Sequence, residues 1–352
     1  MIPADLQRLT ALLESLGGTS EEVREAVEGG TVGALAVELV LRDGQPPVTP
    51  AEAAADAGIE PSEFQRFWQV LGLPELAADR RRVPADLAVA MPLVARATQD
   101  WLGEETAVGL ARVIGTTTAR LAEAVVDAFR VDFELPELSA GTSYADVIAN
   151  YVELTRLSFP NLEALVAAVL KAHLVRVAAA AWVPDVANLA TRRDLFVGFV
   201  DLAGYTALAR TLAPRDLARL VSQFEATVGE VVSTGGGRLV KLIGDGAMFV
   251  ADSAAAGCAI ALEISRRLEE SETLPPARIG ADCGQVLSLY GDYFGDVVNR
   301  AARLVALAKP STVVVSDDVR RGRENTFRFD QLPPQALKGF QAPAVTYRLL
   351  AG

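Results

Sequence analysis

The stretch VKLIGDGAMFV, residues 240–250, places one lysine and one aspartate in an otherwise apolar ribbon. Gly244 and Gly246 bracket Asp245, and Gly-Asp-Gly is typical of a tight hairpin turn because glycine supplies the positive φ angles that short turns need. The pattern predicts a β-hairpin with Lys241 in its first strand and Asp245 at its tip. A turn aspartate and a lysine that extends its charge into water would also explain these residues, so the rest of the chain must decide.

The sequence around this hairpin alternates strands with helices. From residue 194 onward, short runs rich in β-branched and aromatic residues read as strands, and longer amphipathic runs between them read as helices. Their order, β-α-β-β-α-β, is that of the ferredoxin-like split arrangement. We expect the first and second strands to be neighbours in the sheet, which would bring the hairpin beside the first strand. The strands are LFVGFVDL, GRLVKLI, AMFVAD and STVVVS, with ARIGADCGQVLSLY as a further strand pair.

The first half of the chain predicts helices only. Thr19, with Glu22 three positions later, is typical of a helix N-terminus, and Gly29-Gly30 is typical of the end of that helix. Further amphipathic runs follow, separated by Pro136, Pro160 and Pro184, at about 32–42, 51–57, 62–71, 86–98, 104–130, 143–156 and 161–182. The predicted fold class is therefore an all-α domain followed by an α+β domain. The expected boundaries are 1–171 for the helical domain, 172–193 for a connecting helix or linker, and 194–352 for the second domain.

Composition limits the cellular setting and the partners. The chain has 352 residues, 51% of them apolar, and a net charge of −12. No uninterrupted apolar segment reaches the ~18 residues that a membrane span needs, and the start MIPADLQRL lacks the features of a secretory signal. Two cysteines give neither a disulfide framework nor a metal-cluster spacing. We therefore expect a cytoplasmic protein without an integral membrane segment.

One segment of the first half could belong to a DNA-binding regulator. Residues 48–74, VTPAEAAADAGIEPSEFQRFWQVLGLP, have the lengths of a helix-turn-helix. However, residues 1–190 carry 27 acidic and 14 basic residues, against 18 and 19 in residues 191–352. An acidic domain repels the phosphate backbone. A helix pair used for packing is the favoured interpretation, and no nucleic-acid partner is expected.

Carboxylates in the second half suggest a metal site. Asp201 ends the first predicted strand, and the hairpin would bring Asp245 beside it. Two neighbouring carboxylates without nearby histidine or cysteine are hard oxygen ligands that suit Mg²⁺ or Mn²⁺. The loop Gly204-Tyr205-Thr206 that follows Asp201 would present backbone N–H groups to phosphates. This combination predicts two-metal chemistry at phosphorus, in a chain without a P-loop motif.

A third cluster completes a recognisable set. In DYFGDVVNRAAR, residues 292–303, Asp292 precedes a glycine turn, and Asn299 and Arg303 share one helix face. Together with FVDLAGYT, VKLIGDG and the closing LKGFQAPAVTYRL, this cluster resembles the catalytic domain of class III nucleotidyl cyclases, and specifically of adenylate cyclases. The resemblance covers residues 194–349.

The resemblance implies a role for each of these residues. Asp201 and Asp245 would hold two Mg²⁺ or Mn²⁺ ions per site, and ATP would be the substrate. Lys241 and Asp292 would contact the adenine. Asn299 would orient the ribose and Arg303 would stabilise the α-phosphate in the transition state. Because the family shares its sites between chains and all six positions are present here, a homodimer with two equivalent sites is expected.

The helical half resembles the N-terminal regulatory domain of bacterial two-domain cyclases. This resemblance implies autoinhibition that is relieved at mildly acidic pH through the connecting helix. His173, the single histidine, lies on that helix and is a candidate proton switch, with carboxylates as rivals. The aliphatic helical domain could also hold a hydrophobic small molecule. The alternatives for the whole chain are a catalytically silent nucleotide-binding sensor and a helix-turn-helix DNA-binding regulator.

Overall fold

The computed structural model describes residues 3–76, 82–181, 192–336 and 343–352. The chain divides into two compact units, Met1–Val183 and Pro184–Gly352. The predicted connecting segment, 172–193, lies partly outside the described residues, as does part of LKGFQAPAVTYRL. No helix in the described ranges combines the length and the apolar character needed to cross a membrane.

In the described residues of the N-terminal unit, the regular elements are helices, and Val48 and Val83 form an isolated β-bridge between two of the connecting segments. Its helices are α1 (Pro3–Ser15), α2 (Ser20–Gly29), α3 (Val32–Leu41), α4 (Pro50–Ala57), α5 (Pro61–Val70), α6 (Ala85–Ala97), α7 (Glu104–Phe129), α8 (Leu135–Ser139) and α9 (Tyr144–Ala181), with π-helical turns at Thr98–Leu102 and Arg130–Glu134. Helix α2 begins and ends as predicted: Thr19 and Glu22 form a capping box, and Gly30 adopts a left-handed conformation with φ 68°. Local signals of this kind act over a few residues and are readable from sequence.

One helix boundary was predicted wrongly. The two helices expected at about 143–156 and 161–182 form the single helix α9, which continues through Pro160. Proline removes one helical hydrogen bond, but the side chain of Asn161 donates a hydrogen bond to the Leu157 carbonyl oxygen at 3.0 Å. The carbonyl that loses its donor is that of Arg156, four residues before Pro160, so the Asn161 bond lies beside the interruption and does not replace the missing bond.

The segment with helix-turn-helix lengths forms α4 and α5. Gly58, with φ 67°, ends α4 in the left-handed conformation. The aromatic side chains of α5 are buried in a cluster with α4 and α6, and they include Phe64, Phe67 and Trp68. Its apolar face is thus occupied by packing within the unit.

The C-terminal unit is a mixed sheet with helices. Its elements are β1 (Arg192–Leu202), α10 (Tyr205–Ala209), α11 (Pro214–Thr234), β2 (Arg238–Ile243), β3 (Gly246–Ala251), α12 (Ala254–Glu269), β4 (Ala277–Leu289), β5 (Asp292–Phe294), α13 (Asp296–Leu304), β6 (Thr312–Ser316), α14 (Asp317–Arg320), β7 (Arg328–Gln331) and β8 (Thr346–Leu350). The strand order is β2-β3-β1-β4-β6-β8-β7, and β5 pairs with β4. The order β2-β3-β1-β4 is that of a ferredoxin-like sheet, so the predicted fold class is confirmed.

The expected neighbour of β1 was wrong. Strand β1 pairs with β3 and β4, and β2 lies outside β3 at the edge of the sheet. The segment expected as a strand pair, ARIGADCGQVLSLY, contains the single long strand β4. The hairpin nevertheless reaches β1, because its second strand is the one that pairs there.

Strand β1 is buried on both faces, which explains its continuous apolar run. Phe196 and Val200 belong to one core cluster with residues of α11 and α12. Leu195 and Val197 belong to another with Val297 and other residues of α13. Because successive side chains of a strand point to opposite faces, α13 packs on the face opposite to α11 and α12.

Candidate active site

The turn between β2 and β3 consists of Gly244 and Asp245. Gly244 has φ 61°, in the region that other residues rarely adopt. Gly246 is required for a different reason: a Cβ atom there would lie 2.8 Å from the Val200 carbonyl oxygen of β1. One glycine makes the turn and the other allows the hairpin to approach β1 closely. Asp245 therefore lies at the hairpin tip, as predicted.

This approach brings Asp201 and Asp245 together. Asp201 pairs with Gly246 in the β1–β3 register, and the Leu202 N–H donates a hydrogen bond to the Asp245 carbonyl oxygen at 3.2 Å. Partial burial, and then the negative charge of Asp245, raises the pKa of Asp201 above its usual value. The structure thus holds two carboxylates close enough to repel each other.

The donor chemistry of this pair fits divalent cations. Oxygen ligands suit Mg²⁺ and Mn²⁺, and a cation between two carboxylates would relieve their repulsion. Within the described ranges no three or more His, Cys, Asp and Glu side chains cluster in a way that could hold a metal ion. Asp201 and Asp245 would therefore need further oxygen ligands from water, backbone or a bound phosphate.

Arg278 is a site residue that the sequence did not reveal. It lies on β4, opposite Asp201 in the register, and its guanidinium group lies 2.7 Å from Asp201 Oδ2. This contact opposes the rise in the Asp201 pKa. The two residues are far apart in the chain, and only the strand register reveals the pair.

Lys241 and Asp292 form the second group. The Lys241 Nζ atom donates to Asp292 Oδ2 at 2.5 Å, and both side chains are about one-third exposed. A second contact joins the same two strands, which are not neighbours in the sheet. The guanidinium group of Arg238 on β2 lies 4.9 Å from the ring centroid of Tyr293 on β5. The structure therefore brings together, within one chain, the two residues predicted to contact the base.

Helix α13 carries the third group. Only Gly295 separates it from β5, and this glycine has φ 127°, in the region that favours glycine. Asn299 is exposed and Arg303 is half-buried on the same side of the helix. Both residues are thus accessible from outside the unit.

The remaining predicted residues are less uniformly placed. Gly204 precedes α10 with φ 80°, and both Gly204 and Thr206 are exposed near the end of β1. The Tyr205 side chain is half-buried and packs against the core of the sheet. His173 is exposed on α9, in the other unit.

Comparisons with known proteins cover both halves of the chain. A family model described as "Adenylate and Guanylate cyclase catalytic domain" matches residues 190–351. A protein of Glutamicibacter nicotianae named adenylate cyclase is 33% identical over 99% of this chain and 90% of its own length. A Mycobacterium tuberculosis protein named pH-sensitive adenylate cyclase is 27% identical over 46% of this chain and 41% of its own length. The solved adenylyl cyclase CyaB of P. aeruginosa aligns with a TM-score of 0.41 and 19% identity, over 46% of this chain and 95% of that one.

Proposed function

This chain belongs to the family of adenylate and guanylate cyclases and is an adenylate cyclase, and we propose that it forms 3′,5′-cyclic AMP and pyrophosphate from ATP at sites shared between two copies. The observation that carries this proposal is that one hairpin contributes a member to each of two side-chain pairs. Asp245 lies beside Asp201, and Lys241, four residues earlier, contacts Asp292. A carboxylate pair and a base-contacting pair are what the reaction needs.

Asp201 and Asp245 would hold two Mg²⁺ or Mn²⁺ ions. When bound, such ions lower the pKa of the ribose 3′-hydroxyl and neutralise charge on the phosphates. The protein residues contribute the position of the carboxylates: the Gly244–Gly246 turn sets Asp245, and Arg278 holds one oxygen of Asp201 at 2.7 Å. This arrangement supports a metal site that forms with the triphosphate.

Lys241 and Asp292 would select adenine. Adenine offers an N1 acceptor for the Lys241 ammonium and an N6 amino donor for the Asp292 carboxylate. Guanine reverses this donor and acceptor pattern, and it would leave polar groups of the site without partners. In the structure the two side chains contact each other, so the base would replace that contact with two of its own.

Replacing Lys241 with methionine should weaken this discrimination. We expect the wild-type protein to form mainly cyclic AMP with Mg²⁺ or Mn²⁺, and Lys241→Met to raise the KM for ATP about tenfold and lower the preference for ATP over GTP about tenfold, because one charged hydrogen bond is lost. Both products should be measured at saturating metal. Lys309→Met, which alters an exposed lysine of the same unit, should leave both values unchanged. An unaltered preference in Lys241→Met would contradict the proposed role of Lys241.

Asn299 and Arg303 would act on the reacting phosphate and ribose. A guanidinium group donates several hydrogen bonds in a fixed geometry, so Arg303 is suited to the charge that develops on the α-phosphate. Asn299, one turn earlier, would orient the ribose for attack by its 3′-oxygen. Both residues are reachable from outside the unit, which supports a site completed by a second copy.

Exposed apolar side chains next to the proposed site support the homodimer. Ile243 is 50% exposed beside the turn and Phe294 is 47% exposed beside Asp292. Leu287, Leu289 and Tyr290, at the end of β4 and just beyond it, are also exposed. A second copy packed on these side chains would remove them from water. Two equivalent sites per dimer follow from two-fold symmetry.

The N-terminal unit would regulate the reaction. A relative named pH-sensitive adenylate cyclase supports a response to pH, and exposed His173 remains the candidate switch. The unit also has an apolar cavity of about 300 Å³ between α3, α7 and α9, lined by residues that include Leu121, Val125 and Phe159. This cavity supports the binding of a hydrophobic small molecule in the helical unit.

Removal of the N-terminal unit should release inhibition. We expect residues 191–352 alone to form cyclic AMP several-fold faster at neutral pH than the full chain does, because an inhibitory unit would bias the arrangement of two catalytic units. Activity should be compared from pH 5.5 to 8, together with full-length His173→Ala. A truncated protein no faster than the full chain would argue against autoinhibition, and an unchanged pH profile in His173→Ala would eliminate His173 as the switch.

A further inference from the structure

Asp282 is a carboxylate buried within the C-terminal sheet. It lies on β4 and has no exposed surface. Its Oδ1 atom accepts hydrogen bonds from the Ser316 hydroxyl at 2.5 Å and from the Cys283 N–H at 2.8 Å. Burial raises the pKa of Asp282, and these bonds together with Arg300 oppose that rise. A carboxylate withdrawn from water in this way requires a positive partner to remain charged.

That partner is Arg300, which lies on α13 between Asn299 and Arg303 in the chain. Its Nε atom lies 2.7 Å from Asp282 Oδ2, and a terminal nitrogen lies 3.9 Å from Asp318. Asp282 lies on β4 and Asp318 on α14, so the polar contacts of Arg300 connect α13 with these two elements. Ser316, which ends β6 and caps α14, bonds to the same Asp282. The helix that carries the two proposed transition-state residues is thereby tied to the sheet by charge.

The other contacts of α13 are less directional. Val297, Ala301 and Leu304 are buried against the sheet, and the end of the helix lies close to Gly280 of β4, where a Cβ atom would come within 2.6 Å of the Ala301 carbonyl oxygen. These contacts hold the helix against the sheet through apolar and backbone atoms, and the hydrophobic part of them is non-directional. At 3.6 residues per turn, position 300 lies about 60–100° around the axis from positions 303 and 299. When Arg300 is held in place, the direction of the helix face that carries Asn299 and Arg303 is therefore determined as well.

We propose that the Asp282–Arg300 ion pair is a positioning pair, which sets the rotation of α13 and thereby places Asn299 and Arg303 against the reacting nucleotide. This inference rests on the function proposed above for those two residues. Buried ion pairs contribute little to net stability, since desolvation offsets their attraction. The effect of this pair is therefore expected in the rate of the reaction and not in the folding of the unit.

The test begins with a neutral pair of similar volume. Asp282→Asn with Arg300→Met removes both charges and keeps an oxygen for Ser316 and Cys283. We expect kcat to fall about 10–100-fold with KM for ATP within about threefold of wild type, because a small misplacement of transition-state groups affects the chemical step. The melting temperature and dimer content of this variant should stay close to those of wild type. Arg300→Lys with Asp282 unchanged keeps a positive charge, so its kcat should lie between those of the neutral pair and the wild type.

A double-mutant cycle separates positioning from general damage. In a background that carries both Asn299→Ala and Arg303→Ala, Arg300→Met should lower kcat by less than about threefold, because both groups that the pair places are already absent. Arg348→Met breaks an exposed ion pair with Asp330 in the same unit and is the matched control, with unchanged kcat expected.

Three results would overturn the inference alone: kcat of the neutral pair within threefold of wild type, an equal loss from Arg300→Met in both backgrounds, or a loss of kcat that follows a loss of folded dimer. If Asn299→Ala and Arg303→Ala themselves leave kcat unchanged, the proposed function of α13 fails and the inference fails with it. The single-residue variants therefore distinguish the two failures.

Discussion

Replacement of Asp201 by asparagine is expected to lower the rate of cyclic AMP formation by about three orders of magnitude, since a metal site supplies several kcal/mol of transition-state stabilisation. Asparagine preserves the shape of the side chain but removes the anionic charge that a divalent cation needs. The loss should persist at high concentrations of either Mg²⁺ or Mn²⁺.

Although the rate of Asp201→Asn should fall, the stability of this variant without metal should stay the same or increase. Partial burial and the charge of Asp245 both disfavour the ionised form of Asp201, so a neutral amide relieves repulsion in the folded protein. Thermal unfolding without metal should therefore show an unchanged or higher melting temperature. The control is Asp330→Asn, which alters an exposed carboxylate of the same unit and should retain full activity. More than a tenth of wild-type activity in Asp201→Asn would refute the metal-binding role.

Mixing two inactive variants should restore activity if the sites are shared. Asp201→Ala leaves the groups of α13 intact, and Asn299→Ala leaves the carboxylate pair intact. In a heterodimer one of the two sites contains both defects and the other contains neither. Random exchange makes half of the dimers mixed, so about a quarter of wild-type activity is expected from a two-fold symmetric enzyme.

The design of this experiment excludes simpler explanations. The two variants should be unfolded and refolded together, or co-expressed with different tags and purified as heterodimers. A mixture of Asp201→Ala with Asp245→Ala is the matched control, because both changes damage the same half-site and no intact site can form. Activity in that control, or none in the Asp201→Ala and Asn299→Ala mixture, would contradict sites shared between chains.

Several features of the fold and of the site were predictable because their signals are local. The Gly-Asp-Gly turn, the capping box at Thr19 and the alternation of strands and helices each depend on residues close together in the chain. The run LFVGFVDL indicated a strand, and the structure shows that both faces of β1 are apolar. Even the position of Asp245 at a hairpin tip followed from the two glycines.

Two predictions were wrong, one about the neighbour of a strand and one about the end of a helix. The adjacency of β1 and β2 was expected from their order, but β3 pairs with β1 and β2 forms the edge. Pro160 was expected to end a helix, yet α9 continues past it. At Pro160, packing within the folded unit overrides a rule based on neighbouring residues. In the sheet, the split β-α-β arrangement itself places β3 between β1 and β2.

The sequence by itself determined the fold class, the hairpin and the residue types that make the family resemblance, since hydrophobic periodicity and glycine conformations are local properties. Only the tertiary structure decided that Arg278 lies against Asp201 and that Arg300 reaches the buried Asp282. These pairs depend on strand register and on which helix covers which face, and both are set by contacts between residues far apart in the chain.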